Sequence, residues 1–92
     1  GTLVLVRTED AIMSKYTYIV RQFNGAQSRR FTSLEAAKTW ARSHAVLRSD
    51  PIWNESIGAT VWLGYWDRSD AARSRSAHPV PSRLRIERHK RT

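Results

Sequence analysis

Residues 16–37 read YTYIVRQFNGAQSRRFTSLEAA, and three changes of pattern within them decide the fold. Tyr16, Tyr18 and Val20 alternate with Thr17, Ile19 and Arg21, the period of two that sends successive side chains to opposite faces of a strand. Asn24-Gly25 stands where that alternation stops. Both central positions of a type I′ turn need positive φ, so this dipeptide predicts a hairpin with Ser28 to Phe31 as the returning strand. The period then lengthens. Thr32 and Glu35 have the spacing of a capping box, in which the hydroxyl accepts from the N3 amide and the carboxylate reaches back. Leu34, Ala37, Trp40, Ala41, His44 and Leu47 fall on one face of a helix that should run to about Arg48. Arg42 and Arg48 lie toward its carbonyl end, where the helix dipole favours cations. Ser49-Asp50-Pro51 ends it, because the residue before proline avoids helical angles.

Working outward, Leu3 to Arg7 is apolar and β-branched and reads as a strand broken by Thr8-Glu9-Asp10. Trp53 to Ser56 reads as a loop. Ala59 to Trp66 is aromatic and β-branched and reads as a second strong strand. Val61, Leu63 and Tyr65 share one of its faces, and Thr60, Trp62, Gly64 and Trp66 share the other. Gly64 marks a bulge or a close approach. Residues 67–82 are low in apolar content, alternate arginine with serine within 69–76 and carry prolines at 79 and 81, so they read as a linker. Arg83 to Arg88 alternates again, with Leu84 and Ile86 opposite Arg83 and Arg85, the pattern of a late edge strand. The sum is an α+β domain with a small antiparallel sheet in the order β-β-β-α-β, a late edge strand, and one main helix on one face. Residues 1–67 form its compact part; 68–92 form a basic Arg/Ser-rich linker and C-terminal segment. One helix covers one face of a sheet. The other face is then solvated, closed by a second copy in a homodimer, or used for binding.

The charge is the feature furthest from average. The 92 residues carry a net +8, with 13 arginines among 16 basic residues. Residues 68–92 hold eight basic and two acidic residues, whereas 1–67 are nearly balanced. Arginine presents a rigid fork to phosphate or carboxylate and stacks on aromatic faces, which lysine does less well. The partner this implies is a nucleic acid or an acidic protein surface. No cysteine is present, which excludes disulfides and thiolate metal sites and suits a reducing cytoplasm. No apolar run approaches the roughly 20 residues of a membrane span. The four glycines are scattered, so there is no phosphate loop. His44, His78 and His89 lack metal spacing, and no catalytic or cofactor motif is present; the chain reads as a binding protein rather than an enzyme. A small basic nuclease using one histidine is a minor alternative.

Candidate binding residues fall into two sets. Arg21, Arg29 and Arg30 on the hairpin, with Arg68, Arg73, Arg75, Arg83, Arg85, Arg88, Lys90 and Arg91 in the C-terminal segment, are the cations that could track a phosphate backbone. Tyr16, Tyr18, Trp62 and Trp66 could form an aromatic platform for bases if their strands are neighbours. In a small domain such side chains more commonly pack the core or an interface. Trp40 and Trp53 could instead anchor a protein partner, with the helix tryptophan covering the sheet and the loop tryptophan acting as a lid as the ordinary alternatives. An inhibitor or adaptor with Trp and Arg anchors is therefore the second functional reading.

The composition is similar to that of small bacteriophage-encoded proteins from high-GC hosts: short, arginine over lysine, rich in tryptophan, without a catalytic motif. That resemblance implies a protein that binds a host or phage macromolecule and changes its behaviour without chemistry of its own.

Overall fold

A computed structural model describes residues 15–23, 27–75 and 80–90. The chain is an α+β domain in which one main helix packs on a six-stranded antiparallel sheet. In chain order the elements are β1 (Tyr16–Gln22), β2 (Arg29–Phe31), α1 (Leu34–Arg42), β3 (Val46–Leu47), β4 (Ile52–Asn54), β5 (Ala59–Tyr65), α2 (Arg68–Arg73) and β6 (Leu84–Lys90). The sheet order is β2-β1-β6-β5-β3, with β4 also paired to β5. The expected strand at 3–7 and the Asn24-Gly25 turn lie outside the described residues.

The segment 83–88, read as an edge strand, is the centre of the sheet. β6 pairs along its whole length with β1, from Tyr16↔Lys90 to Gln22↔Leu84. On its other side it pairs with β5, from Thr60↔Arg88 to Gly64↔Leu84. Its composition hid this. Ile86 is its one β-branched residue, and charged side chains are normally kept out of central strands. The alternation resolves the conflict. Leu84 and Ile86 are fully buried on the helix side, while Arg85, Glu87 and His89 face the other way, where the Glu87 carboxylate meets both neighbours.

The core lies between α1 and the sheet: Tyr18 and Val20 from β1, Leu84 and Ile86 from β6, Trp62 from β5, and Ala37 and Ala41 from the helix. Each fully buried aliphatic side chain contributes roughly 1.5–3 kcal/mol. Alanines at the contact let the helix approach closely, and Phe31, Leu34, Trp40 and Leu47 close the margins. Gly64 belongs to the same logic. A Cβ there would lie 2.7 Å from Leu84 Cδ1 and 3.2 Å from Ala45 Cβ, so the glycine marks a close approach.

Four local readings are corrected. The N-cap is Ser33, whose hydroxyl accepts from the Ala36 amide at 3.2 Å; either of two adjacent hydroxyl residues could cap, and Ser33 does so without a capping-box glutamate, since Ala36 stands three residues on. The helix ends at Arg42 rather than Arg48. By then it has crossed from the β2 edge to the far edge, where Val46 and Leu47 gain ladder bonds to β5 opposite Tyr65 and Gly64. Residues 52–54 are strand, not loop, pairing Ile52↔Val61, Trp53↔Thr60 and Asn54↔Ala59. Pro51, which has no amide hydrogen to donate, separates this pairing from that of β3. The region read as a linker contains α2, capped by Asp67, whose carboxylate accepts from the Asp70 amide at 2.8 Å.

Candidate functional site

Pairing register sorts the candidate residues by face, because directly opposed residues share a side of the sheet. Tyr18, Val20, Ile86, Arg88, Trp62 and Thr60 lie on the helix side. Arg21, Arg85, Glu87 and Val61 lie on the opposite side. The platform expected from Tyr16, Tyr18, Trp62 and Trp66 does not form. Tyr18 and Trp62 do approach, with ring centroids 6.5 Å apart. Both are buried beneath the helix, at 8% and 4% exposure, and offer no face to a ligand. Tyr16 and Trp62 are instead bridged by Arg88, whose guanidinium lies 4.8 Å and 6.0 Å from the two rings.

The basic segment is divided as well. Arg88 and Lys90 lie on the helix-side face of β6, toward its C-terminal end. Arg68 and Arg73 are on α2, where Arg73 pairs with Asp70. Arg75 reaches Asp50 at 3.5 Å, and Arg48 holds the same carboxylate at 2.6 Å. The Arg48 hydrogen bond foremost, with the charge of Arg75 a lesser contribution, lowers the Asp50 pKa and keeps it ionised. Arg29 lies over the Trp40 ring, which also packs on Phe31 and His44. Trp40 thus covers the sheet margin rather than projecting from it. Arg30 is exposed on the β2 edge. Arg91 and His78 lie outside the described residues.

What the fold does bring together is a cluster at the end where β1 stops, β6 begins and β5 stops. Phe23 donates its amide to the Arg83 carbonyl at 3.0 Å, and the Arg83 amide donates to the Gly64 carbonyl at 2.8 Å. Two bonds thus lock three chain segments side by side. Over this frame the Arg83 guanidinium lies 4.2 Å from the Trp66 ring centroid, and that of Arg85 lies 5.2 Å from Phe23. Both rings remain about half exposed, at 57% and 50%. Such cation–π pairs contribute about 0.5–2 kcal/mol and hold a guanidinium in place without an acid.

The acid present is shared. Glu87 is 1% exposed. Its carboxylate accepts from Arg21 Nε at 2.8 Å and from Arg85 Nε at 2.6 Å, and His89 Nε2 lies 2.9 Å from its other oxygen. Burial pushes this carboxyl up, but the bonds from Arg21, His89 and Arg85 outweigh it and hold the pKa down at about 2. In return the Arg21 pKa is raised, chiefly by its hydrogen bond to Glu87. One carboxylate therefore serves two arginines. Arg83 forms no ion pair among the described residues, and its Nε is buried without a hydrogen-bond partner. Three guanidiniums stand against the Glu87 carboxylate and that of Asp67, which follows Trp66 and caps α2, so this end of the sheet is left positive.

Phe23 and Glu87 were not singled out in the sequence. The signal for Glu87 was present: Arg85, Glu87 and His89 alternate at the strand period and must share a face. Phe23 follows the clear alternation of β1 and carries no local mark of exposure. Trp66 and Trp53 are the exposed tryptophans, Trp53 at 61% and so not a lid. Among the described residues no three His, Cys, Asp or Glu side chains group as metal ligands. No helix among them is long and apolar enough to cross a membrane. No protein-family model, curated protein or solved structure matches the chain.

Proposed function

We propose that this protein binds nucleic acid, without catalysis, through the arginine cluster at the Phe23–Arg83–Trp66 end of the sheet. The observation that carries the reading is the fixed surplus of cation. Arg21, Arg83 and Arg85 come from adjacent chain segments; among the described residues Glu87 is the carboxylate shared by Arg21 and Arg85, and Arg83 has none. Guanidinium forks held in position by rings and by a buried acid suit phosphate oxygens, which they can meet bidentately. A charge surplus spread over flexible side chains would give weaker and less oriented binding. The net +8 of the chain adds long-range attraction to any polyanion.

The test is fluorescence anisotropy with labelled oligonucleotides across salt concentration. Three phosphate contacts release about two counterions from a single strand. Binding should therefore weaken roughly 20-fold between 50 and 200 mM salt. Replacing Arg83 and Arg85 together by glutamine should reduce that slope to about one-third. A slope unchanged by the double replacement would remove the cluster from the binding surface.

A second reading has its own observation. Ile52 and Trp53 are exposed at 43% and 61% on β4, a three-residue strand that pairs only with β5 among the described strands. An apolar pair on a sheet edge suits a protein partner that adds a strand or seats the indole in a pocket. Loss of a partner on Trp53→Ala, with oligonucleotide binding intact, would identify that surface.

A further inference from the structure

We infer that the nucleic acid taken by this cluster is single-stranded, with bases stacked on Trp66 and Phe23 and phosphates on Arg21, Arg83 and Arg85; the inference rests on the nucleic-acid reading above. Arginines alone do not distinguish a duplex from a single strand, since both present phosphates. The rings do. Bases in a duplex are stacked on one another and show a protein only their edges, so a flat exposed ring gains little from them. An unpaired base has a free face, and stacking it on an aromatic side chain is a large part of how single strands are held.

The two rings are placed for this. Phe23 follows β1 and Trp66 follows β5, the two strands that flank β6. Arg83 occupies the position between them, tied by backbone bonds to both sides. Each ring carries a guanidinium against it, yet Trp66 and Phe23 keep 57% and 50% of their surface exposed. Burial elsewhere supplies the contrast. Tyr18 and Trp62 satisfy the packing needs of the core, so the domain does not require these two rings for its interior. Trp53 is as exposed as Trp66, but no guanidinium or ammonium is found over its ring among the described residues. Aromatic surface and cation coincide at Phe23 and Trp66 and not at Trp53. The Arg83 Nε is buried and has no hydrogen-bond partner among the described residues, so no acid claims this guanidinium there.

The experiment compares a single-stranded oligothymidylate of about 15 nucleotides with a hairpin duplex of similar charge. The full chain is titrated with each at low salt, and heparin serves as a polyanion without bases. The single strand is expected to bind more tightly than the duplex. Trp66→Ala and Phe23→Ala should each weaken single-strand binding roughly 5- to 150-fold, the range for losing one stacked base, and leave heparin binding unchanged. Trp53→Ala should change neither. Trp66→Tyr keeps a stacking face and should retain most of the affinity; it also covers the case in which the alanine variant fails to fold. Equal binding of duplex and single strand, with both ring variants neutral while Arg83→Gln weakens both ligands, would overturn the inference and leave the nucleic-acid reading standing. No binding to either oligonucleotide would overturn both.

Discussion

Acidification should unfold this domain through Glu87, and the structure sets the size of the effect. The folded carboxyl keeps its charge down to about pH 2, against an ordinary value of 4.5. Between those limits the unfolded chain takes up a proton that the folded chain refuses, so stability falls as pH falls through that window. A depression of this size corresponds to about 3 kcal/mol, present in full above pH 5 or so, with about 2 kcal/mol gone by pH 3. For a domain this small, 2 kcal/mol lowers Tm by roughly 8–16 °C. The perturbation that isolates the group is Glu87→Gln, which keeps the side chain's length and one accepting oxygen and removes the titration. Thermal melts by circular dichroism at pH 7, 5, 4 and 3 would be recorded for both proteins. At pH 7 the variant should be less stable by about 1–3 kcal/mol, the difference between charged and neutral acceptors. By pH 3 the gap should close to about 1 kcal/mol or less, because the wild-type protein has lost most of what the variant never had. Asp50, also held low by its arginines, contributes to the pH dependence of both proteins alike and cancels in the comparison. Two melting curves that stay parallel from pH 7 to pH 3 would refute the assignment of Glu87 as the acid-sensitive group.

Two further predictions concern the frame that carries the cluster. Gly64→Ala forces a methyl to within 2.7 Å of Leu84, which is fully buried and cannot swing aside, so overpacking should cost about 1–3 kcal/mol and lower Tm by several degrees in the same melts. Asp67→Ala removes the acceptor for the Asp70 amide and should cost about 1 kcal/mol, seen as faster hydrogen exchange confined to α2.

Local sequence determined much of this protein. The alternation in β1 and β5 placed both strands, and in β1 it also marked the buried face, because a one-residue slip would have turned Val20 toward solvent; β5 is buried on both faces, with Val61 and Tyr65 as well as Trp62 inside. A hydroxyl beside an apolar, alanine-rich run placed the helix start to within one residue, because the amides of its first turn need an acceptor that only a few side chains supply. The charge surplus, and with it an anionic partner as the expectation, follows from composition alone. Decisions between alternatives of similar local energy required the tertiary structure. Residues 43–47 continue the helical pattern, yet the chain turns at the sheet edge because Val46 and Leu47 find ladder partners there. Residues 84–90 carry five charged or titratable side chains, yet form the central strand, because β1 and β5 present apolar partners on one side and Arg21 neutralises Glu87 on the other. The same long-range pairing decided the candidate site. Trp62 and Trp66 are four residues apart and read alike, but one enters the core and the other remains outside beside Arg83. Exposure of a ring depends on which segments stack against it, and that is set by contacts dozens of residues away in the chain.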